Sequence, residues 1–472
     1  MNQHFAIIGG GITGLAAALR LEQKAPQSQI TLIESTDRLG GVLQTRLESG
    51  YLIEQSADMF TTELGVMPAL CRDIGLEHEL ISTNKIGRRA FVAKGDRLHP
   101  VPEGFSMMLP HRMDSILDSE LLDPAGRLRL LAERWVPRPD DESDESLESF
   151  AVRRFGRQAF ERLIQPLISG IYSADPKKLS MQAALGRFVS MERDHGSLIL
   201  AAKSMKQSTS IEAGSSGARY GMFLALKNGM QSLIDRMIES LSRTQILCNT
   251  RVQGVLPAAG GGWQIQTAVD GCHDLKPIDG LILAARADAT GKLLGSLDPE
   301  LSRQLSSIEN ASMAIVVMAV DRAQIPNAPE CFGFVVPEIE NRNLVACSFA
   351  SNKFPGRAPQ GKVLLRCFIG GSLHADRVAM ADEQLFAMAR QDLAELIGYR
   401  GEPEFQQVIR WSECMPQYHV GHLDRKAAIE QEMAGLAGIE LAGNSYGGVG
   451  IPVCVASGQR AADRLVDGAT KN

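Results

Sequence analysis

The chain opens on an apolar run, His4 to Ile8, that stops at a glycine, the pattern of a strand buried on both faces. Leu15 to Leu21 then reads as helix, built of strong helix formers, with alanines small enough to let it lie close on a sheet. Ile30 to Glu34 returns to strand, so strand, glycine turn, helix and strand follow one another within about 30 residues, a βαβ unit. From Leu98 to about Ala202 the period turns helical, with Arg127 to Trp135 and Ser149 to Ile168 setting apolar residues among charges at helical spacing. Lys206 to Gly221, rich in Ser and Gly, reads as a connection, and Met222 to Leu241 as a helix. Short β-type runs follow at Trp263 to Val269, Leu281 to Ala284, Ala314 to Val320, Phe332 to Val336 and Val363 to Ile369. Asp382 to Ile397 is again helical, Gly438 to Gly443 repeats the strand-then-glycine pattern, and Val453 to Leu465 closes the chain as a helix. The expected fold is α/β with α+β character: a discontinuous Rossmann-type domain from residues 1–97, 206–305 and 421–472, into which a helical domain (98–205) and a sheet-based domain (306–420) are inserted.

Composition agrees with this division. At 472 residues the chain exceeds what one hydrophobic core usually organises. Its 44% apolar and 22% charged content is that of an ordinary globular protein, not a disordered one. A formal net charge of -6 argues against nucleic acid as a partner, since phosphate binding needs a basic surface; a local basic patch for an acidic small molecule stays open. The eight cysteines show no CxxC and no zinc-type spacing, so they read as reduced interior residues of a cytoplasmic protein, with no metal expected. No export signal is read at the N-terminus. Apolar stretches such as Ala311 to Val320 fall short of the roughly 20 residues that span a bilayer, which leaves peripheral contact with the cytoplasmic membrane open. The acidic run Asp140-Asp141-Glu142-Ser143-Asp144-Glu145 reads as a solvated loop whose carboxylates favour the helix N-terminus that follows.

The chemistry concentrates at the glycines. In Gly9-Gly10-Gly11-Ile12-Thr13-Gly14 the first glycine of the GxGxxG spacing permits a tight turn, the second lets backbone approach a pyrophosphate, and the third lets the helix lie on the sheet. The helix N-terminus then offers free N–H groups and a positive dipole end to phosphate. Glu34, 20 residues past Gly14, is placed to accept hydrogen bonds from a ribose. The run Glu34-Ser35-Thr36-Asp37-Arg38-Leu39-Gly40-Gly41-Val42 resembles the E-x-x-x-R-x-G-G extension of amine-oxidase-type flavoproteins, which implies FAD rather than NAD, with Arg38 and the glycines around the pyrophosphate and flavin edge. At the far end Gly443-Asn444-Ser445-Tyr446-Gly447-Gly448-Val449-Gly450-Ile451-Pro452 again joins strand to helix. A helix N-terminus there would stabilise negative charge near flavin N1 and C2=O.

Six segments together resemble the porphyrinogen oxidase family, which comprises protoporphyrinogen IX oxidase and the bacterial coproporphyrinogen III oxidase. They are GGGITGLAAA (9–18), ESTDRLGGV (34–42), RRAFVAKGDRLHPVPEG (88–104), RRFGRQAFERLIQPLISGIYSADPKKLS (153–180), MPQYHVGHLDR (415–425) and AGNSYGGVGIP (442–452), spread over nearly the whole chain. The resemblance implies a six-electron oxidation in haem biosynthesis. The porphyrinogen loses hydride from meso carbons to flavin N5, and O2 reoxidises the cofactor with release of hydrogen peroxide. No side chain is then needed as a catalytic residue, and no Ser-His-Asp set, nucleophilic Cys signature or paired-carboxylate motif is found. The last two segments resemble the bacterial branch, which favours coproporphyrinogen III slightly over protoporphyrinogen IX. The resemblance also leaves open a monomer or a homodimer, and the next haem-pathway enzyme, a chelatase, as partner.

The same resemblance assigns Arg89 to a substrate propionate, a pairing that suits a guanidinium. It places Trp411 near the flavin and the Val252 backbone at the adenine. The segments Phe105 to Leu109 and Ile168 to Tyr172, with Gly170 and Ile171, could line a tetrapyrrole cavity, although core packing is their ordinary role. Relatives usually carry a glycine in the turn where this chain has Glu54-Gln55-Ser56-Ala57-Asp58-Met59. Serine tolerates positive φ poorly, so the backbone of Ser56, Ala57, Asp58 and Met59 is expected to meet the flavin in its own way. Two rivals remain: another flavoenzyme of the carotenoid-desaturase or amine-oxidase type, and a non-enzymatic binding protein like the Rab GDP-dissociation inhibitors, which would be colourless.

Overall fold

A computed structural model describes residues 3–141, 143–206, 222–267 and 277–469. The expected βαβ unit is present: strand β1 (His4–Ile8), helix α1 (Ile12–Lys24) and strand β2 (Gln29–Ile33). These join a five-stranded parallel sheet in the order Thr244–Leu247, β2, β1, Gly280–Leu283, Ile439–Leu441. The start, middle and end of the chain thus build one Rossmann-type sheet, as the repeated strand-then-glycine pattern implies. The closing helix, Ile451–Ala469, packs on α1 so closely that a Cβ on Gly458 would lie 2.1 Å from the Thr13 carbonyl oxygen.

A seven-stranded sheet forms the second lobe, in the order Phe405–Pro416, Asn310–Asp321, Lys362–Gly370, Ala346–Phe349, Gly333–Val335, Ala90–Lys94, Arg97–Pro100. All its pairings are antiparallel except that of Gly333–Val335 with Ala90–Lys94. The expected boundary at residue 97 therefore falls inside a hairpin whose two strands both belong to this sheet. The helical reading from Leu98 also begins too early. Residues 97–110 contain short strands, and Phe105, Met108 and Leu109 are buried in the core of the helical lobe.

Other elements depart from the period read in the sequence. Met222 to Leu241 divides into a strand, Phe223–Leu226, and a helix, Met230–Glu239, because Gly229 takes φ 88° between them. Ser149 to Ile168 is likewise interrupted at Gly156, where Leu147–Phe155 ends. Asp144 of the acidic run is more than a solvated carboxylate: it accepts from Ser180 Oγ (2.6 Å) and from the Gln182 and Gly421 amides, tying two helix starts together. The seven cysteines among the described residues are free; Cys272 and most of the Lys206 to Gly221 connection lie outside them. No helix among the described residues is long and apolar enough to cross a membrane.

Candidate functional site

The fingerprint glycines divide into two kinds. Gly9, Gly10 and Gly14 are filled in by the protein: a Cβ on them would meet the Ala284 carbonyl oxygen at 2.7 Å, Leu39 Cδ2 at 2.3 Å and the Gly9 carbonyl oxygen at 1.9 Å. Gly11 and Gly443 face open space instead. A Cβ on Gly11 would approach only Gly41 Cα, at 4.0 Å, and one on Gly443 would have no heavy atom within 4 Å although Gly443 is buried. The closing turn and the N-terminal turn therefore frame a cradle between the two chain ends. At its floor, α1 starts at Gly11 with no side-chain cap and no acidic residue in its first turn, so its first N–H groups and dipole are free for an anion.

Glu34 faces this cradle with its carboxylate fixed. Oε2 accepts the Gly10 amide at 2.8 Å, and Oε1 accepts the Thr36 amide at 2.8 Å and its hydroxyl, with Ser35 Oγ at 3.1 Å. Oε1 is fully engaged, whereas Oε2 holds only the Gly10 amide, so its second lone pair is left for a ribose hydroxyl. Arg38 is turned onto its own loop, donating to the carbonyls of Leu39, Leu43 and Gly41; in this structure it shapes the turn that carries Gly40, Gly41 and Val42. Gly40 in turn donates to the Gly10 carbonyl (2.8 Å), which locks the second glycine pair against the first. Val252 lies just past Asn249 and Thr250, whose amides donate to the Thr36 and Glu34 carbonyls, so its strand starts beside Glu34.

Residues 55–59 follow the hairpin Thr45–Glu48/Tyr51–Glu54 and are held by side chains of the other lobe. Ser56 does not adopt positive φ, so the serine is accommodated without strain, and its hydroxyl donates to the Val42 carbonyl at 2.6 Å. Ala57 is exposed and Met59 half-buried, but the Asp58 side chain is buried away from both, 2.9 Å from Lys353 Nζ and 3.4 Å from Arg366. Burial alone would raise its pKa; Lys353 and then Arg366 overcome that and hold the carboxyl below its ordinary value. Trp411 reaches the same loop, its indole N–H donating to the Gln55 carbonyl at 2.7 Å. Behind the closing turn, Tyr418 donates its hydroxyl to the Asn444 carbonyl and stacks on His422 with ring centroids 4.6 Å apart. Burial pushes the phenol up, and burial together with Arg425 and Lys426 pushes the His422 imidazole down to about 4, so both are neutral. Val449 packs against the helical-lobe core to which Tyr418 belongs, Gly448 takes φ 141°, and the Gly450 carbonyl accepts the first helical amides, those of Val453 and Cys454, just past Ile451.

Arg89 is not brought to the cradle. Its side chain is exposed and lines a cavity of about 430 Å³ with His99, Glu103, Arg112 and Asp114, which shares no residue with the glycine turns. Gly170 and Ile171 are both exposed, and a Cβ on Gly170 would stand 3.7 Å from Cγ1 of Val335 in the seven-stranded sheet. The pattern of the sequence missed Lys353, Arg366 and Tyr418. Only Arg366 carries a local signal, as the one charge in the apolar strand Val363 to Ile369.

A parallel five-stranded sheet, an uncapped helix N-terminus and two open glycines define a dinucleotide-binding protein with a second, sheet-based lobe over its site. The chain belongs to the flavin containing amine oxidoreductase family, whose sequence profile matches residues 12–466, and FAD is its cofactor. It is 33% identical to the coproporphyrinogen III oxidase of Bacillus subtilis (strain 168) over 98% of this chain and 97% of that protein. It is 26% identical to protoporphyrinogen oxidase 2, chloroplastic/mitochondrial, of Arabidopsis thaliana over 98% and 94%. A crystal structure from Exiguobacterium sp. 255-15, provisionally named a protoporphyrinogen oxidase, superposes with a TM-score of 0.86 at 31% identity, over 99% of both chains.

Proposed function

We propose that this protein is an FAD-dependent oxidase of haem biosynthesis that converts coproporphyrinogen III to coproporphyrin III. The carrying observation is the near-complete overlap with relatives of that name, at 33%, 31% and 29% identity, over the very segments that build the cradle. Protoporphyrinogen oxidase 2 of Arabidopsis thaliana is more distant at 26% identity, while the Exiguobacterium structure named for protoporphyrinogen stands level with them at 31%. Bound FAD supplies the acceptor for the hydride equivalents of a six-electron oxidation. This chain's residues hold the cofactor through the α1 N-terminus and Glu34, orient it between residues 55–59 and 443–450, and enclose the site between the two lobes. Three O2 consumed and three hydrogen peroxide released per porphyrin balance the electrons. Cytoplasmic location, with peripheral membrane contact or docking of a chelatase, belongs to the same proposal.

Anaerobic mixing of the yellow protein with each porphyrinogen tests it. Bleaching of the flavin absorbance by coproporphyrinogen III, faster than by protoporphyrinogen IX, followed by porphyrin fluorescence on admitting air, is the expected result. An FAD-loaded sample bleached by neither removes the assignment.

Arg89 is the proposed contact for a substrate carboxylate, because its guanidinium is exposed and has no ion pair among the described residues. Arg89→Ala is expected to raise KM severalfold with kcat and FAD content unchanged, the signature of lost uniform binding. An unchanged KM takes Arg89 out of the site.

A further inference from the structure

Three cations are buried beneath residues 55–59: Lys353 at 8% exposure, Arg357 at 1% and Arg366 at 2%. They arrive on separate elements, Lys353 at the end of the short helix Ala350–Lys353 and Arg366 in the middle of the strand Lys362–Gly370, with Arg357 in the loop between. Two buried carboxylates stand among them. Asp58 pairs with Lys353 and Arg366, as described. Glu54 takes its hydrogen bonds from neutral donors, Thr45 Oγ1 at 2.7 Å and the Met230 amide at 3.0 Å, and burial raises its pKa. Arg357 donates to the carbonyls of Leu226 and Lys227. Even with both carboxylates ionised, one positive charge is left over.

An uncompensated buried cation is expensive, and an apolar set of the same volume would stabilise the fold better. Arg366 is not even fully satisfied: its Nε is buried with no hydrogen-bond partner. What this cluster grips is the cofactor loop. Arg366 donates to the Ser56 carbonyl, Lys353 holds Asp58, and Ser56 passes the contact on to Val42 in the glycine turn. The excess charge therefore sits directly behind the loop that Ser56 ties to Val42 in the glycine turn.

We propose that Lys353 and Arg366 are positioning residues that hold residues 55–59 against FAD and raise its reduction potential. Reduced flavin carries more negative charge than oxidised flavin, and preorganised positive charge in a water-poor site favours the more negative form. Asp58 tempers that field. The inference rests on FAD in the cradle and is independent of the substrate, so failure of either porphyrinogen to bleach the flavin leaves it standing.

The test is the two-electron potential of the FAD-loaded full-length protein, measured by equilibration with a redox dye and a chemical reductant. Lys353→Met is expected to lower the ratio of reduced to oxidised flavin at fixed dye potential about tenfold, roughly 30 mV for a two-electron couple. Lys353→Arg, which keeps the charge, is expected to stay near wild type. Asp58→Asn removes the counter-charge and is expected to move the potential the opposite way, upward. That opposition of sign separates a field from a merely structural role, which would loosen the same loop in both variants. Potentials unchanged in Lys353→Met, or shifted downward in both variants, overturn the proposal. Where Asp58→Asn does not fold, the contrast between Lys353→Met and Lys353→Arg decides: equal potentials overturn it.

Discussion

Gly14→Ala is expected to destroy the nucleotide lobe, whereas Gly11→Val is expected to leave it folded and colourless. A Cβ added at Gly14 would lie 1.9 Å from the Gly9 carbonyl oxygen, well inside van der Waals contact, with backbone on both sides. Neither atom can rotate away. The turn after β1 and the start of α1 must separate by more than an ångström, in a core where Ile7, Leu15 and Ala18 are fully buried. Overpacking of this kind costs about 3 kcal/mol or more, and it falls on the central strand of the sheet. Gly11 differs in the one respect that matters. Its backbone is extended (φ -68°, ψ 178°), a conformation open to any residue, and a Cβ there meets only Gly41 Cα at 4.0 Å. A valine at that position projects into the cradle, where the pyrophosphate must approach backbone N–H groups. Chemical denaturation and the flavin absorbance of the purified variants check both halves. The expected results are a lost or strongly shifted unfolding midpoint for Gly14→Ala, and a midpoint close to the flavin-free wild type for Gly11→Val with FAD affinity down by tenfold or more, about 1.4 kcal/mol. A yellow Gly11→Val protein of normal affinity would show that the cradle is not where the dinucleotide lies.

The cradle was legible in the sequence because each half of it is contiguous. Gly9 to Gly14 and Glu34 lie within one βαβ unit, and Gly443 to Ile451 within one strand–helix turn, so local spacing reports the geometry directly. What grips the cradle is not local. Asp58 and Lys353 are 295 positions apart and Trp411 and Gln55 are 356 apart, so those contacts exist only once the seven-stranded sheet has formed. The same dependence explains the misread boundary near residue 97. Arg97–Pro100 is a short strand ended by proline, and it becomes a strand because Ala90–Lys94 beside it pairs with Gly333–Val335, about 240 residues on. Phe223–Leu226 was hidden for a different reason: four apolar residues fit either period, and only Gly229 marks where the strand gives way to helix.

The largest stability effect outside the cradle is expected at Glu133, in the helical lobe. Glu133, Arg154 and Ser197 are all fully buried. The Glu133 carboxylate accepts from Arg154 Nε at 2.8 Å and from its Nη2, from Ser197 Oγ at 2.5 Å, and from the amides of Leu198 and Ile199 at 2.9 and 3.1 Å. One side chain thus neutralises a buried guanidinium and also caps the helix Leu198–Lys206, where negative charge at the N-terminus is favourable. Arg154 keeps a second carboxylate, Glu192, at 3.1 Å, but Glu192 is shared with Arg153. Glu133→Ala therefore leaves a partly paired cation and several amides without acceptors in a dry interior, at a cost of about 3–5 kcal/mol. Replacing both partners, Glu133→Met with Arg154→Met, removes the charge along with its partner and is expected to recover the share of that loss due to the unpaired cation, while the amides stay without acceptors. Hydrogen exchange locates the effect: protection is expected to fall first in Leu198–Lys206 and Leu147–Phe155, while the parallel sheet and the FAD content stay as in the wild type. A double variant no more stable than Glu133→Ala would mean that the helix cap, rather than the ion pair, is what Glu133 contributes.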